Sequence, residues 1–166
     1  MSAHFSIDPL DFVRNTRALY GKIAVAKLVR LQNSLFNNQN ELEYTIAGAL
    51  DRDDRPIIQV TVKGIINLQC QRCLGELEYA LNLLACLLVV RNEDELLHLD
   101  KDLSVEGVLA VPDVNILTLI EDEIILSLPI SPRHQENECS TNKPTDDNST
   151  NTKNFFAKLT TLKKLH

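Results

Sequence analysis

A chain of 166 residues with 44% hydrophobic content suits one compact domain with tails and is too apolar to be disordered throughout. Its 17 basic and 23 acidic residues leave a net charge of −6, and aromatics amount to 5% with no Trp. That balance argues against a surface that grips a phosphate backbone all round, or one that stacks single-stranded bases on aromatic rings.

The first twenty residues include Asp8, Asp11, Arg14 and Arg17 without a sustained apolar stretch, so no secretory signal is read there. The most apolar run, residues 83–90, is eight residues long, whereas a spanning helix needs about 20. A cytoplasmic protein with no membrane partner is expected. In that compartment thiols stay reduced, so Cys70, Cys73, Cys86 and Cys139 read as ligands, reactive thiols or core residues before disulfides.

The first predicted element is a short amphipathic helix, with Asp8 as N-cap, Pro9 at the first helical position and Gly21 as a stop. Its Leu10, Val13, Arg14 and Arg17 give one apolar and one basic edge. Strands follow. Ile23, Val25, Val29 and Leu31 alternate with Ala24, Ala26 and Arg30, interrupted by Lys27; Leu42, Tyr44, Ile46, Gly48 and Leu50 form a second series. After the polar turn at residues 51–56, Ile58, Val60, Val62, Ile66 and Leu68 show the cleanest alternation. Residues 77–90 form a fourth strand, apolar on both faces from Leu83, which belongs in mid-sheet or under a helix.

Residues 91–102 read as acidic and irregular. Asp113 is the expected cap of a helix with Val114, Leu117, Ile120, Ile124 and Leu128 on one stripe, ended by Pro129 and Pro132. The predicted fold class is α+β: an antiparallel β-meander of about four or more strands, an N-terminal helix, a helix after the sheet and a small C-terminal helix. The single domain spans residues 1–134 and a flexible polar linker residues 135–153. Residues 154–166 form a basic amphipathic tail helix with Phe155, Leu159 and Leu162 on one side. That tail carries Lys158, Lys163 and Lys164, while residues 1–150 hold 13 basic against 23 acidic residues, or −10. An acidic body with a basic tail is an interaction layout.

The sharpest motif is Cys70-Gln-Arg-Cys73 with Gly75 close behind, at a hairpin between the third and fourth strands. Thiolates at this spacing chelate one ion because the tight turn points both sulfurs inward. His134 and Cys139, just beyond the proline breaker, are the available second pair, giving a Cys₃His set for one structural zinc. Two other readings stand beside it: unligated thiols, with Cys70 a small buried residue, or a thiol-disulfide centre. Thioredoxin-type chemistry places its CxxC at a helix N-terminus, whereas residues 76–90 alternate like a strand. Cys86 reads as core. Glu121, Asp122 and Glu123 point about 100° apart on a helix and cannot converge on one ion, so they read as a solvated face. No phosphate loop, Gly-x-Ser-x-Gly or His-Glu-x-x-His motif occurs, and no enzyme or small-molecule substrate is expected.

Residues 68–73 (Leu-Gln-Cys-Gln-Arg-Cys), residues 121–129 with Pro132 and His134, and residues 154–164 (Asn-Phe-Phe-Ala-Lys-Leu-Thr-Thr-Leu-Lys-Lys) occur in the same order in the bacterial YceD family, which the chain resembles over nearly its full length. The resemblance implies a non-enzymatic cytoplasmic role in synthesis, processing or stability of 23S ribosomal RNA. Relatives tend to carry further cysteines near the helix end, which supports a metal at Cys70, Cys73, His134 and Cys139. The long Asn/Thr linker and Phe156, where relatives often have Pro, depart from the family pattern. An acidic body limits the RNA contacts to Arg72, the Arg14/Arg17 edge and Lys158, Lys163 and Lys164. The expected partner is therefore either the 23S precursor itself or a basic large-subunit ribosomal protein or assembly factor. A generic protein-interaction module is the remaining alternative.

Overall fold

The computed structural model describes residues 6–99, 106–136 and 138–139. Within them run β1 (Ser6–Ile7), α1 (Pro9–Arg14), β2 (Ala18–Ala24), two 3₁₀ turns (Val25–Lys27 and Leu31–Ser34), β3 (Leu35–Asn37) and β4 (Glu41–Leu50). They continue with β5 (Pro56–Gln69), β6 (Glu76–Val90), α2 (Glu93–Leu99), β7 (Glu106–Leu109), β8 (Val114–Asn115) and α3 (Ile116–Ser127). The main sheet is ordered β2-β4-β5-β6-β7, with β3 also pairing β5, while β1 and β8 form a separate two-stranded ladder. The class is α+β, as the residue pattern predicts.

The meander is β4-β5-β6, and β5 and β6 stay in antiparallel register from Ile57↔Leu88 to Gln69↔Glu76. This hairpin is the spine of the molecule. β4 covers β5 only as far as Gly64, and β3 then takes over with Leu35 opposite Leu68. On the inner face of β5, Ile58, Val60, Val62, Ile66 and Leu68 are at most 1% exposed, in the predicted alternation. α3 packs on β5 and β6 and buries Ile116, Leu119, Ile120 and Ile124. α1 packs directly on β4: a Cβ at Gly48 would lie 2.8 Å from the Phe12 carbonyl oxygen and the Val13 Cα. Only a residue without a side chain admits that backbone approach.

Several boundaries differ from expectation. Asp8 does cap α1, its carboxylate accepting from Asp11 N–H at 3.0 Å, but the helix stops at Arg14 instead of reaching Gly21. Thr16 adopts φ +44 and turns the chain into β2. The expected strand over residues 23–31 ends at Ala24. Val25, Leu28 and Leu31, spaced by three and buried, follow the 3₁₀ period instead of alternation, and Val29 is exposed. Residues 93–99 form α2, where an irregular loop was expected. Its N-terminal signal is Asn92, whose side chain accepts from Glu95 N–H, with Glu95 reaching back to Arg91 N–H. This helix lies between β6 and β7 and returns β7 parallel to β6, so the sheet is not wholly a meander.

At the start of α3 the cap is Asn115, whose side-chain oxygen accepts from Leu117 and Thr118 N–H, and not Asp113. The apolar end of β6 is buried on both faces from Leu87, with Leu88 and Val90 packed near Leu96 and Leu99 of α2. Earlier on the same strand, Leu84 and Cys86 face outward and are exposed, so Cys86 is not a core residue. Among the described residues, no second layer covers the sheet there. No described helix is long and apolar enough to cross a membrane. The predicted tail helix, and most of the linker before it, lie outside the described residues.

Candidate metal centre

β5 and β6 diverge at residues 70–75 into a tight knuckle. Cys70 N–H donates to the Gly75 carbonyl and Leu74 N–H to the Cys70 carbonyl, both at 2.9 Å. The left-handed position that closes the turn is Leu74 at φ +59, not the neighbouring Gly75, and its side chain is exposed. Cys70 keeps the inward parity of Leu68 and is fully buried, while Cys73 is half-buried.

After α3, Pro129 and Pro132 direct the chain back across this knuckle. Gln71 N–H donates to the Pro132 carbonyl at 2.8 Å. Arg72 then clamps the following arm, its Nη2 donating to the carbonyls of His134 at 3.2 Å and Gln135 at 2.9 Å. Its Nε donates to Cys139 Sγ at 2.9 Å. All four predicted ligands meet here, with donor atoms within 4.8 Å of one another. Cys70 Sγ lies 3.8 Å from Cys139 Sγ, and His134 Nδ1 lies 3.4 Å from Cys73 Sγ and 3.7 Å from Cys139 Sγ.

These spacings test the site for an ion. With Zn–S near 2.3 Å and Zn–N near 2.0–2.1 Å, tetrahedral ligation places sulfurs about 3.8 Å apart and sulfur and nitrogen about 3.6 Å apart. The donor set fits zinc in type and in separation. The orientation of His134 agrees: Nε2 lies 2.8 Å from the Glu76 carbonyl, which only accepts, so Nε2 carries the proton and Nδ1 keeps a free lone pair toward the sulfurs.

Charge points the same way. Burial pushes the Cys70 thiol up, but N–H donors on Cys73, His134 and Arg72 outweigh it and bring the thiol down to about 5. Cys73 receives an N–H from Gly75, yet burial and the neighbouring Cys139 and Cys70 sulfurs hold it above the ordinary thiol value. Contact with Cys139 and Cys70 raises His134, and contact with Cys139 raises Arg72. Three sulfurs packed this closely favour a cation among them.

The other nominated residues fall differently. Arg72 is exposed but bound to the 134–139 arm, whereas Lys158, Lys163 and Lys164 lie outside the described residues. The Glu121–Glu123 segment is not a solvated face. Glu121 is 7% and Glu123 6% exposed, and only Asp122 reaches solvent, where it pairs with Arg30. Glu121 Oε1 accepts from Arg30 N–H at 2.6 Å and Leu31 N–H at 3.1 Å, capping the second 3₁₀ turn from another element. Helical spacing could not show this, because the partner lies 90 positions away. The Glu76 carbonyl that orients His134 was equally hidden, being backbone.

The fold and site define an α+β sheet protein in which the β5–β6 hairpin ends in a Cys₃His cluster that clasps the segment after α3. The chain belongs to the YceD family: the family model described as "Large ribosomal RNA subunit accumulation protein YceD" matches residues 58–163, which include all four cluster residues. A relative from Haemophilus influenzae, "Large ribosomal RNA subunit accumulation protein YceD", is 24% identical over 134 residues, covering 81% of this chain and 77% of its own. No solved structure matches the chain.

Proposed function

We propose that this chain is a cytoplasmic, non-enzymatic factor in large-subunit biogenesis, acting in synthesis, processing or stability of 23S ribosomal RNA. The observation that carries this reading is the family match over residues 58–163, in a family named for accumulation and not for a reaction. One structural zinc, held by Cys70, Cys73, His134 and Cys139, would tie the β5–β6 knuckle to the segment after α3. It would supply a crosslink between distant parts of the chain and no chemistry of its own.

The partner is the 23S precursor or a basic large-subunit protein or assembly factor. RNA contact would run through the knuckle around Arg72 and through Lys158, Lys163 and Lys164. A basic protein would meet the exposed acids of α2, Glu93, Asp94 and Glu95. Because Glu121 and Glu123 are buried, charge reversal there would report on folding; Asp94→Lys/Glu95→Lys is the informative change.

The test is the 23S to 16S RNA ratio in cells lacking the protein, complemented with the intact chain, Cys70→Ser/Cys73→Ser, Lys158→Glu/Lys163→Glu/Lys164→Glu or the α2 reversal. A fall in 23S that the intact chain rescues supports the reading, and no change in the ratio overturns it. Failure of the cysteine variant makes the knuckle necessary. Failure of the lysine variant points to RNA contact, and failure of the α2 variant to a basic protein.

A further inference from the structure

We propose that Cys70 and Cys139 are an oxidation-sensitive thiol pair, with Cys139 meeting a hydroperoxide oxidant and Cys70 closing the disulfide. Their sulfurs are 3.8 Å apart, and an approach of under about 2 Å reaches the bonding distance near 2.05 Å. Cys139 is the more exposed member, half-buried on the return arm, and Cys70 is buried. Cys73 lies within 4.8 Å of both sulfurs and also faces His134 Nδ1 at 3.4 Å.

Arg72 sets up the pair in two ways. Its Nε–H is 2.9 Å from Cys139 Sγ, placing a fixed positive charge against the sulfur that reacts first. Its Nη2 bonds to the His134 and Gln135 carbonyls hold the arm over the knuckle by contacts that need no ion. It is a positioning residue.

The steps balance. The Cys139 thiolate attacks one oxygen of hydrogen peroxide; an S–O bond forms, the O–O bond breaks and hydroxide leaves. The Cys70 thiolate then attacks the sulfenic sulfur of Cys139; the S–S bond forms and a second hydroxide leaves. Two thiolates lose two electrons, and one peroxide is reduced to two hydroxides. The disulfide withdraws two of the four donors, leaving Cys73 and His134, too few for a structural zinc. The knuckle and arm remain joined, now by a covalent bond. Only the loss of the ion rests on the zinc reading of the site; the thiol pair does not.

The experiment treats the reduced full-length chain, zinc-loaded and metal-free, with hydrogen peroxide. Disulfides are mapped on non-reduced peptides, and zinc release is followed with a chromophoric chelator. The expected product in both forms is a Cys70–Cys139 disulfide, with zinc released in step in the loaded form and the ligands restored by a dithiol reductant. Arg72→Met slows the reaction by about tenfold, and Cys86→Ser leaves it unchanged. A Cys70–Cys73 disulfide as the main product overturns the proposal, as does oxidation confined to Cys86. If the Cys70–Cys139 disulfide forms in a chain that takes up no zinc, the thiol pair stands and the zinc reading falls.

Discussion

His134 donates Nε2–H to the Glu76 carbonyl at 2.8 Å, so the first residue of β6 aims an imidazole carried on a segment 58 positions downstream. That bond selects the tautomer whose Nδ1 faces the sulfurs of Cys73 and Cys139. The proposed zinc ligation would therefore depend on a strand end as much as on the four side chains.

The wild-type chain should take up one zinc, measured by elemental analysis, and lose melting temperature when a chelator removes it. His134→Ala deletes a ligand and should weaken zinc binding by more than the roughly 10–100-fold typical of losing an outer-shell partner. Competition with a chromophoric chelator reads this directly. Equal melting curves with and without chelator would remove zinc from the account.

Glu121 holds the second 3₁₀ turn through two backbone N–H groups from inside the core. Glu121→Ala leaves those donors without a partner and should cost about 1–3 kcal/mol in urea unfolding. Glu121→Gln keeps an acceptor oxygen and should cost less. An alanine variant as stable as wild type would show that the cap contributes nothing.

Glu123 gives the fold a pH dependence. Burial, followed by the Glu106 and Asp122 carboxylates, pushes its carboxyl up to about 7. A carboxyl raised above its ordinary value of 4.5 holds its proton more tightly when folded. It exacts no penalty below about pH 4.5, a growing one as pH rises through about 7, and a constant one above that, where both states are ionised. Its contribution should fall by about 1–2 kcal/mol between pH 5 and pH 8, allowing for solvent screening, and Glu123→Gln should flatten that slope. Stability measured across this range, variant against wild type, settles the sign.

Gly48 lets α1 sit on the β4 backbone, and the atoms a new Cβ would meet are themselves backbone. They cannot swing aside as a side-chain tip would. Gly48→Val should cost about 1–3 kcal/mol, seen as a lower denaturation midpoint at unchanged slope. An unchanged midpoint would mean that α1 moves away freely.

Local patterns were legible where one periodicity stood alone. β5 is buried on alternate residues as its sequence alternates, and Asp8 with Pro9 marks the start of α1. Where two periods compete, the pattern misleads. Residues 23–31 satisfy alternation on paper, yet burial follows Val25, Leu28 and Leu31. Cys86 shows a second limit: an apolar run says that a strand can be covered on both faces, not where along its length a covering element lies. α2 reaches only the last residues of β6.

The four residue types of the cluster and the Cys70–Cys73 spacing can be read from sequence alone, because a knuckle is a local turn and its thiols are neighbours along the chain. The alternation of β5 and β6 is equally local, and it determines the long hairpin that ends there. Tertiary structure decided the rest. It brought Cys139 to 3.8 Å from Cys70, turned the arm under Arg72, and buried Glu121 and Glu123 by laying α3 against the sheet. These outcomes hang on backbone carbonyls, on the breaker at Pro129 and Pro132, and on packing between segments tens of residues apart. Linear spacing carries no signal for which distant groups will share the same few cubic ångströms.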